Sequence, residues 1–184
     1  MSNYKIVVDS CCEIPEEIKK DLLIERVPLT LEVGDATIID DETFDFSFTL
    51  DNEISSTNNF GEFKEGMYLY EPYPAIMKLQ PFKLISQQFN AIKLHQHTHL
   101  YASTEVIADF PGDCHKIERI YPFSSRTIKE VVKDYPRANV AVRNFILSAD
   151  ELRKRLKIKD DNKYRLYGVS VANGDRLLIV TTRI

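Results

Sequence analysis

The sequence has no tryptophan, three cysteines and six glycines among 184 residues. Each scarcity removes a class of protein. Cys11 and Cys12 are adjacent and Cys114 stands alone, which provides neither a disulfide framework nor the paired C-x-x-C spacing of structural zinc. Reduced thiols are expected. Asp9 and Glu13 flank the Cys11-Cys12 pair, whereas a reactive thiolate needs an electropositive setting. The glycines stand at positions 34, 61, 66, 112, 168 and 174, with no two within four residues of each other. A turn that brings the backbone against a nucleotide-type cofactor needs closely spaced glycines, so no bound cofactor is expected. No run of about 18 apolar residues is present to span a bilayer as a helix. The first ten residues lack a basic stretch followed by an apolar one, so no secretory leader and no membrane partner are expected. The expected compartment is the cytoplasm.

What is present suffices for a core. Hydrophobic residues make up 43% and charged residues 28%, with a net charge of -4. The charge is unevenly placed: residues 1–66 carry 5 Lys/Arg against 16 Asp/Glu, and residues 67–184 carry 19 against 12. An acidic block beside a basic one implies two pieces of different origin or two surfaces that attract.

Apolar periodicity predicts a strand at 4–8, a helix from Pro15, strands at 27–33 and 37–39, and an acidic turn at 40–42. Phe44, Phe46, Phe48 and Leu50 alternate with polar residues, which predicts a half-buried strand over 44–50. Residues 51–66 are polar and read as a loop or hairpin edge. Helical spacing over 74–89, interrupted by Pro81, predicts two short helices. Beyond a looped region, strands are expected at 115–121 and 138–145, with a helix at 125–134 between them. A further helix follows, opened by a capping box between Ser148 and Glu151. Strands at 164–171 and 176–182 close the pattern through Asn173-Gly174, a pair suited to a type I′ turn. The order βαβαββ over 114–184 predicts a two-layer α/β unit.

Two stretches resemble known families. Lys5-Ile6-Val7-Val8-Asp9-Ser10, Ile14-Pro15-Glu16-Glu17, Val27-Pro28-Leu29-Thr30 and Asp40-Asp41-Glu42-Thr43-Phe44 resemble the opening of DegV-family proteins. That resemblance implies a two-domain α/β protein holding a fatty acid, and of its binding apparatus only the Asp9-Ser10 loop has a counterpart. Tyr68-Leu69-Tyr70-Glu71-Pro72, Ala75-Ile76-Met77-Lys78, Thr98-His99-Leu100-Tyr101, Asp109-Phe110-Pro111-Gly112, Tyr121-Pro122-Phe123-Ser124 and Asp150-Glu151-Leu152-Arg153 carry the second. From about Phe46 to Ile184 the chain is similar to the C-terminal region of bacterial class I S-adenosylmethionine-dependent methyltransferases with a THUMP-like domain. One departure is Leu79-Gln80-Pro81, where that family tends to place small residues.

The expected architecture is therefore α+β. It comprises a DegV-like β-α-β fragment at 1–45, a linking strand and helical segment at 46–93, a ferredoxin-like segment at 94–118, and a βαβαββ THUMP-like unit at 119–184. The resemblance implies a noncatalytic accessory region, binding substrate or RNA, that lacks the S-adenosylmethionine-binding domain and meets a methyltransferase catalytic domain in trans. A DegV-type fatty-acid-binding fragment, or a fused or truncated product with no independent function, are the alternatives.

The strongest candidate interface is basic. Residues 115–159 hold 12 Lys/Arg against five acids, and Lys129, Lys133, Arg143, Arg153, Lys154, Arg155 and Lys157 are the candidate phosphate contacts. Glu151 and Arg155 at i and i+4 are equally what an ordinary solvated helix uses. Tyr70, Glu71 and Lys78 are candidates to touch substrate or the catalytic domain. His95, His97 and His99 would share one side of an extended segment and could meet a metal, but no carboxylate or thiolate accompanies them, so no metal site is expected. No catalytic residue is assigned; Ser10 lacks a G-x-S-x-G setting.

Overall fold

The computed structural model describes residues 38–39, 43–44, 46 and 48–184. Readings that fall elsewhere, including the Asp9-Ser10 loop and the helix from Pro15, lie outside the described residues.

Two short strands, β1 (Ile38–Ile39) and β2 (Thr43–Phe44), pair antiparallel. The strand expected over 44–50 stops at Phe44, and helix α1 (Leu50–Ser55) takes its place. A helix-start signal outweighs the alternation here. The Thr49 side chain accepts from the Asn52 amide at 3.2 Å, and Asp51 and Glu53 stand in the first turn, where acids oppose the helix dipole. Phe46 and Phe48 are still buried, whereas Leu50 is 58% exposed.

The chain continues through β3 (Tyr68–Pro72), α2 (Pro74–Leu79), α3 (Phe82–Gln88), β4 (Ile92–Lys93), β5 (Tyr101–Ser103) and β6 (Gly112–Pro122). Next come α4 (Ser125–Asp134), β7 (Asn139–Arg143), α5 (Ala149–Leu156), β8 (Tyr164–Ser170) and β9 (Arg176–Arg183). The break between the two short helices lies where Gln80 adopts a φ of 61° and Pro81 follows. Pro81 gives α3 no side-chain cap, and Glu53 supplies one from α1, accepting from the amides of Lys83 and Leu84. The expected βαβαββ order appears in full from β6 to β9. The box at Ser148 is made, and a second joins Ser124 to Thr127 at the start of α4.

One seven-stranded sheet, in the order β4-β5-β3-β6-β9-β8-β7, runs through the molecule. Every neighbouring pair in it is antiparallel except β7 and β8. Directly paired residues share a face, and both helix pairs cover the same one. Tyr70, Tyr101 and Cys114 pack with Ile76, Ile85 and Phe110 near α2 and α3, while Leu166, Leu178 and Val180 pack with Val131, Leu152 and Leu156 from α4 and α5. The opposite face buries Leu69, Ala102, Ile117, Tyr167, Val169 and Ile179 beneath segments that include Met67, Leu94 and Leu100. A bulge between Ile117 and Arg119 inserts one residue, so that Ile117 and Ile120 both turn toward this second core.

The β8–β9 turn differs from the type I′ geometry expected of Asn173-Gly174. Only Gly174 has a positive φ, at 89°, and the loop closes with Gly174 N–H on the Val171 carbonyl and Val171 N–H on the Asp175 carbonyl. This is the longer hairpin loop ending in a left-handed glycine. One local and one distant bond select it: Asn173 accepts from the Asp175 amide at 2.9 Å, and the Ala172 amide is tied to the Leu94 carbonyl at 2.8 Å. Among the described residues, no helix is long and apolar enough to cross a membrane.

Candidate functional site

The second face of the sheet is apolar at its middle and polar at one margin. There the Glu71 carboxylate, near the end of β3 and only 11% exposed, gathers three partners from the other half of the sheet. Arg143 of β7 donates to Oε1, the Tyr167 hydroxyl donates to Oε2 at 2.7 Å, and Arg165 of β8 forms an ion pair with that same oxygen at 2.9 Å. A carboxylate with two guanidiniums and a phenol uses most of its acceptor capacity in one place. Burial, and then the Glu71 charge, push the Tyr167 phenol well above its ordinary range, so it stays a donor.

The backbone brings Glu71 here through a close approach. Glu71 pairs with Asp113 and Pro72 with Gly112 across β3 and β6. A Cβ on Gly112 would lie 2.2 Å from the Glu71 carbonyl oxygen, so only glycine fits. Asp113 is itself bridged to Arg183 at 3.4 Å. Beside the cluster opens a pocket of about 430 Å³ lined by Glu71, Asp113, Arg143 and Arg165 on its polar side and by residues 72–74 and Met77 on the other.

Two groups near the cluster lack partners. The Nε of Arg165 is buried without a hydrogen bond, and so are both ring nitrogens of His115, a residue only 3% exposed. Burial and the Arg165 charge hold the His115 pKa below its usual value, leaving the ring neutral. Its ring meets Tyr167 edge-on, 6.0 Å between centroids.

The sequence-predicted residues divide. Glu71 and Arg143, nominated for different roles, bond to each other. Tyr70 points to the opposite face, fully buried against Phe110, its hydroxyl accepting from the Ile107 amide at 2.7 Å. Lys78 is exposed and does not line the pocket. Lys129, Lys133, Lys154 and Lys157 are exposed on or just beyond α4 and α5, with no ion pair among the described residues. Arg153 is held by Asp150 at 2.7 Å and Asp160 at 3.3 Å, and Arg155 lies over the Phe123 ring.

The three histidines do not share a side. Residues 94–100 turn back on themselves, with the Leu94 amide on the Leu100 carbonyl. His95 accepts from the His97 amide and contacts Asn144, while His99 stacks on Phe82 at 3.6 Å. Burial, then the Lys93 charge, lower the His99 pKa to about 4. No group of three metal-ligating side chains occurs among the described residues.

Sequence reasoning missed Arg165 and Tyr167, in the strand expected at 164–171, His115, at the start of the strand expected at 115–121, and Asp113, just before it. The available signal was Arg165 within the apolar run of β8, an expensive residue to place in a central strand.

Comparison with known proteins divides the sheet at the join between β3 and β6. Residues 112–183 match the family model described as THUMP domain-like. Residues 68–111 match the model of a ferredoxin-like domain, which takes in β3 to β5 and both short helices, where the sequence reading placed that segment at 94–118. The structure is similar to the crystal structure of a "putative methyltransferase from Porphyromonas gingivalis W83", with a TM-score of 0.74 and 32% identity over 81% of this chain. The chain spans 37% of the length of that protein. No curated protein matches by sequence, and a likeness to the DegV family is not among these findings. Glu71 thus belongs to the ferredoxin-like segment, and Arg143, Arg165 and Tyr167 to the THUMP-like domain. The buried carboxylate ties the two together.

Proposed function

We propose that this chain is a noncatalytic RNA-binding accessory region of a methyltransferase, acting together with a catalytic domain. The match of residues 112–183 to a THUMP-like domain supports this, since THUMP domains are generally RNA-binding. The likeness to a part of a methyltransferase-described protein supports the second half. The observation that carries the reading is the state of the basic side chains. Most of the arginines on and around α4 and α5 are spent internally: Arg126 on Glu130, Arg137 on Asp161 and Arg153 on two aspartates. Lys129, Lys133, Lys154 and Lys157 are exposed and unpaired among the described residues. Lysines left open on neighbouring helices suit a phosphate backbone, whose neutralisation releases counterions.

The test is filter binding of tRNA and rRNA fragments across a salt series. The association constant is expected to fall steeply with salt, on the order of one logarithmic unit per phosphate contact for each decade of salt. Replacing the four lysines with alanine should flatten that slope and weaken binding. RNA affinity unchanged by salt, or unchanged in the quadruple variant, refutes the reading.

A further inference from the structure

We propose that the pocket beside Glu71 holds one nucleotide unit, with its phosphate between the Arg143 and Arg165 guanidiniums and its sugar and base along Pro72, Pro74 and Met77. This deepens the RNA-binding reading and rests on it, but it assigns contact to a pocket separate from the helix lysines.

The donor count points to an anion. A guanidinium carries five N–H groups in a fixed plane; Glu71 accepts one from Arg143 and is held to Arg165 by an ion pair. Arg143 spends another on the Val142 carbonyl at 2.7 Å. Arg165 keeps its buried Nε–H without any acceptor. Arg165 itself lines the pocket, and an oxygen arriving there can take terminal N–H groups that Glu71 leaves unused. The two arginine side chains are about one-third exposed, at 36% and 32%, and both line the pocket.

The charge balance agrees. Glu71 neutralises one of the two guanidiniums and holds both in place against their mutual repulsion. Asp113, the other acid on the wall, is bridged to Arg183. One positive charge is left over for one phosphate. Phosphate suits the site better than a second carboxylate, because it offers more acceptor oxygens to the N–H groups that Glu71 leaves unused. Asp113 also discourages a second phosphate and offers an acceptor to a sugar hydroxyl.

Shape supplies the rest. About 430 Å³ lies within the size range of small-ligand sites. Pro72, Pro74 and Met77 form an apolar wall, and a methionine thioether packs well against a flat ring. The β3–α2 connection provides this wall and the THUMP-like domain provides both arginines, so the pocket exists only where the two segments meet.

The experiment is nuclear magnetic resonance titration of the full chain with a 5′-ribonucleoside monophosphate, the matching nucleoside, inorganic phosphate and a single-stranded tetraribonucleotide. The monophosphate and the tetranucleotide should move the Arg143 and Arg165 Nε–H signals and the Met77 methyl. The monophosphate should bind at least about tenfold more tightly than either the nucleoside or inorganic phosphate. Arg143→Gln and, independently, Met77→Glu should each weaken it by about tenfold while the chain still melts cooperatively. Inorganic phosphate binding as well as the monophosphate, or arginine signals that none of the probes moves, overturns the proposal. RNA binding lost in the helix-lysine variant but intact in Arg143→Gln overturns the pocket and keeps the RNA reading. A pocket that takes the monophosphate in a chain that binds no RNA does the reverse.

Discussion

Tyr167 donates its hydroxyl to the Glu71 carboxylate at 2.7 Å across 96 positions of sequence. The same oxygen receives Arg165 at 2.9 Å, so one acceptor fastens β3 to β8 across the two strands between them.

Removing that acceptor should cost more than removing one of its donors. Glu71→Ala leaves two guanidiniums facing each other and is expected to lower stability by about 2–3 kcal/mol, whereas Tyr167→Phe should lose about 1 kcal/mol. Chemical denaturation of both variants and of the double variant reads this. The double-mutant cycle should give a coupling of at least about 0.5 kcal/mol. Strict additivity would mean that the two side chains do not depend on each other.

Gly112→Ala should be the most damaging glycine-to-alanine change among the described residues. The added Cβ meets the Glu71 backbone at 2.2 Å, and no flexible side chain can yield. Overpacking of this kind costs on the order of 1–3 kcal/mol or more, and here it must push β3 and β6 apart. A melting temperature within two degrees of the parent's, read by circular dichroism, would contradict the close approach.

The caps of α4 and α5 are separable from the site. Ser148→Ala and Ser124→Ala each remove an N-cap hydroxyl and should each cost about 1 kcal/mol, with serine-to-threonine largely retaining the cap. Thermal melts check the stability, and the arginine signals near Glu71 should stay in place.

Stability should fall on acidification below about pH 6.5, the ordinary histidine pKa. His99, lowered to about 4, and His115, also lowered, stay neutral in the folded chain after the unfolded chain has begun to bind protons. Proton uptake by the unfolded state alone drains stability as pH falls from about 6.5 to about 4. His115→Phe removes one contributor together with two unpartnered buried nitrogens. Denaturation midpoints between pH 7 and pH 4.5 should drop less for that variant than for the parent, and an equal drop would show that His115 titrates freely.

Lys93 acts in the opposite range. Burial lowers its pKa to about 8, so below that pH the folded chain holds a charge it would rather lose. Stability should therefore rise as pH climbs from about 8 toward 10, before the buried tyrosines, whose pKa values are raised, reverse the trend. In Lys93→Met the rise should vanish; a rise of equal size there would place its origin elsewhere.

The C-terminal half of the fold was legible because its signals are local. Ser148 and Glu151 form their box between neighbours three residues apart, and βαβαββ follows from alternation and helical spacing that nothing opposes. The 44–50 strand was misread because two local signals competed there, and the Thr49 cap with Asp51 and Glu53 won. Likewise Asn173-Gly174 marked the turn but not its type, since the tie from Ala172 to Leu94 comes from far away in sequence. The short strands β4 and β5 carry too few residues for any period to register.

Of the candidate site, Glu71 and Arg143 were visible as residues but not as a pair. Composition, capping and periodicity by themselves determined the basic block, the starts of α4 and α5 and the element order from β6 to β9, because each depends on contacts within a few residues. The pocket was decided only by tertiary structure. Sheet order sets β3 and β8 two strands apart, and the face a strand residue occupies depends on register, which the β6 bulge shifts by one. A carboxylate becomes a binding element only when distant chain segments place their charges around it, and no window of neighbouring residues contains that distance.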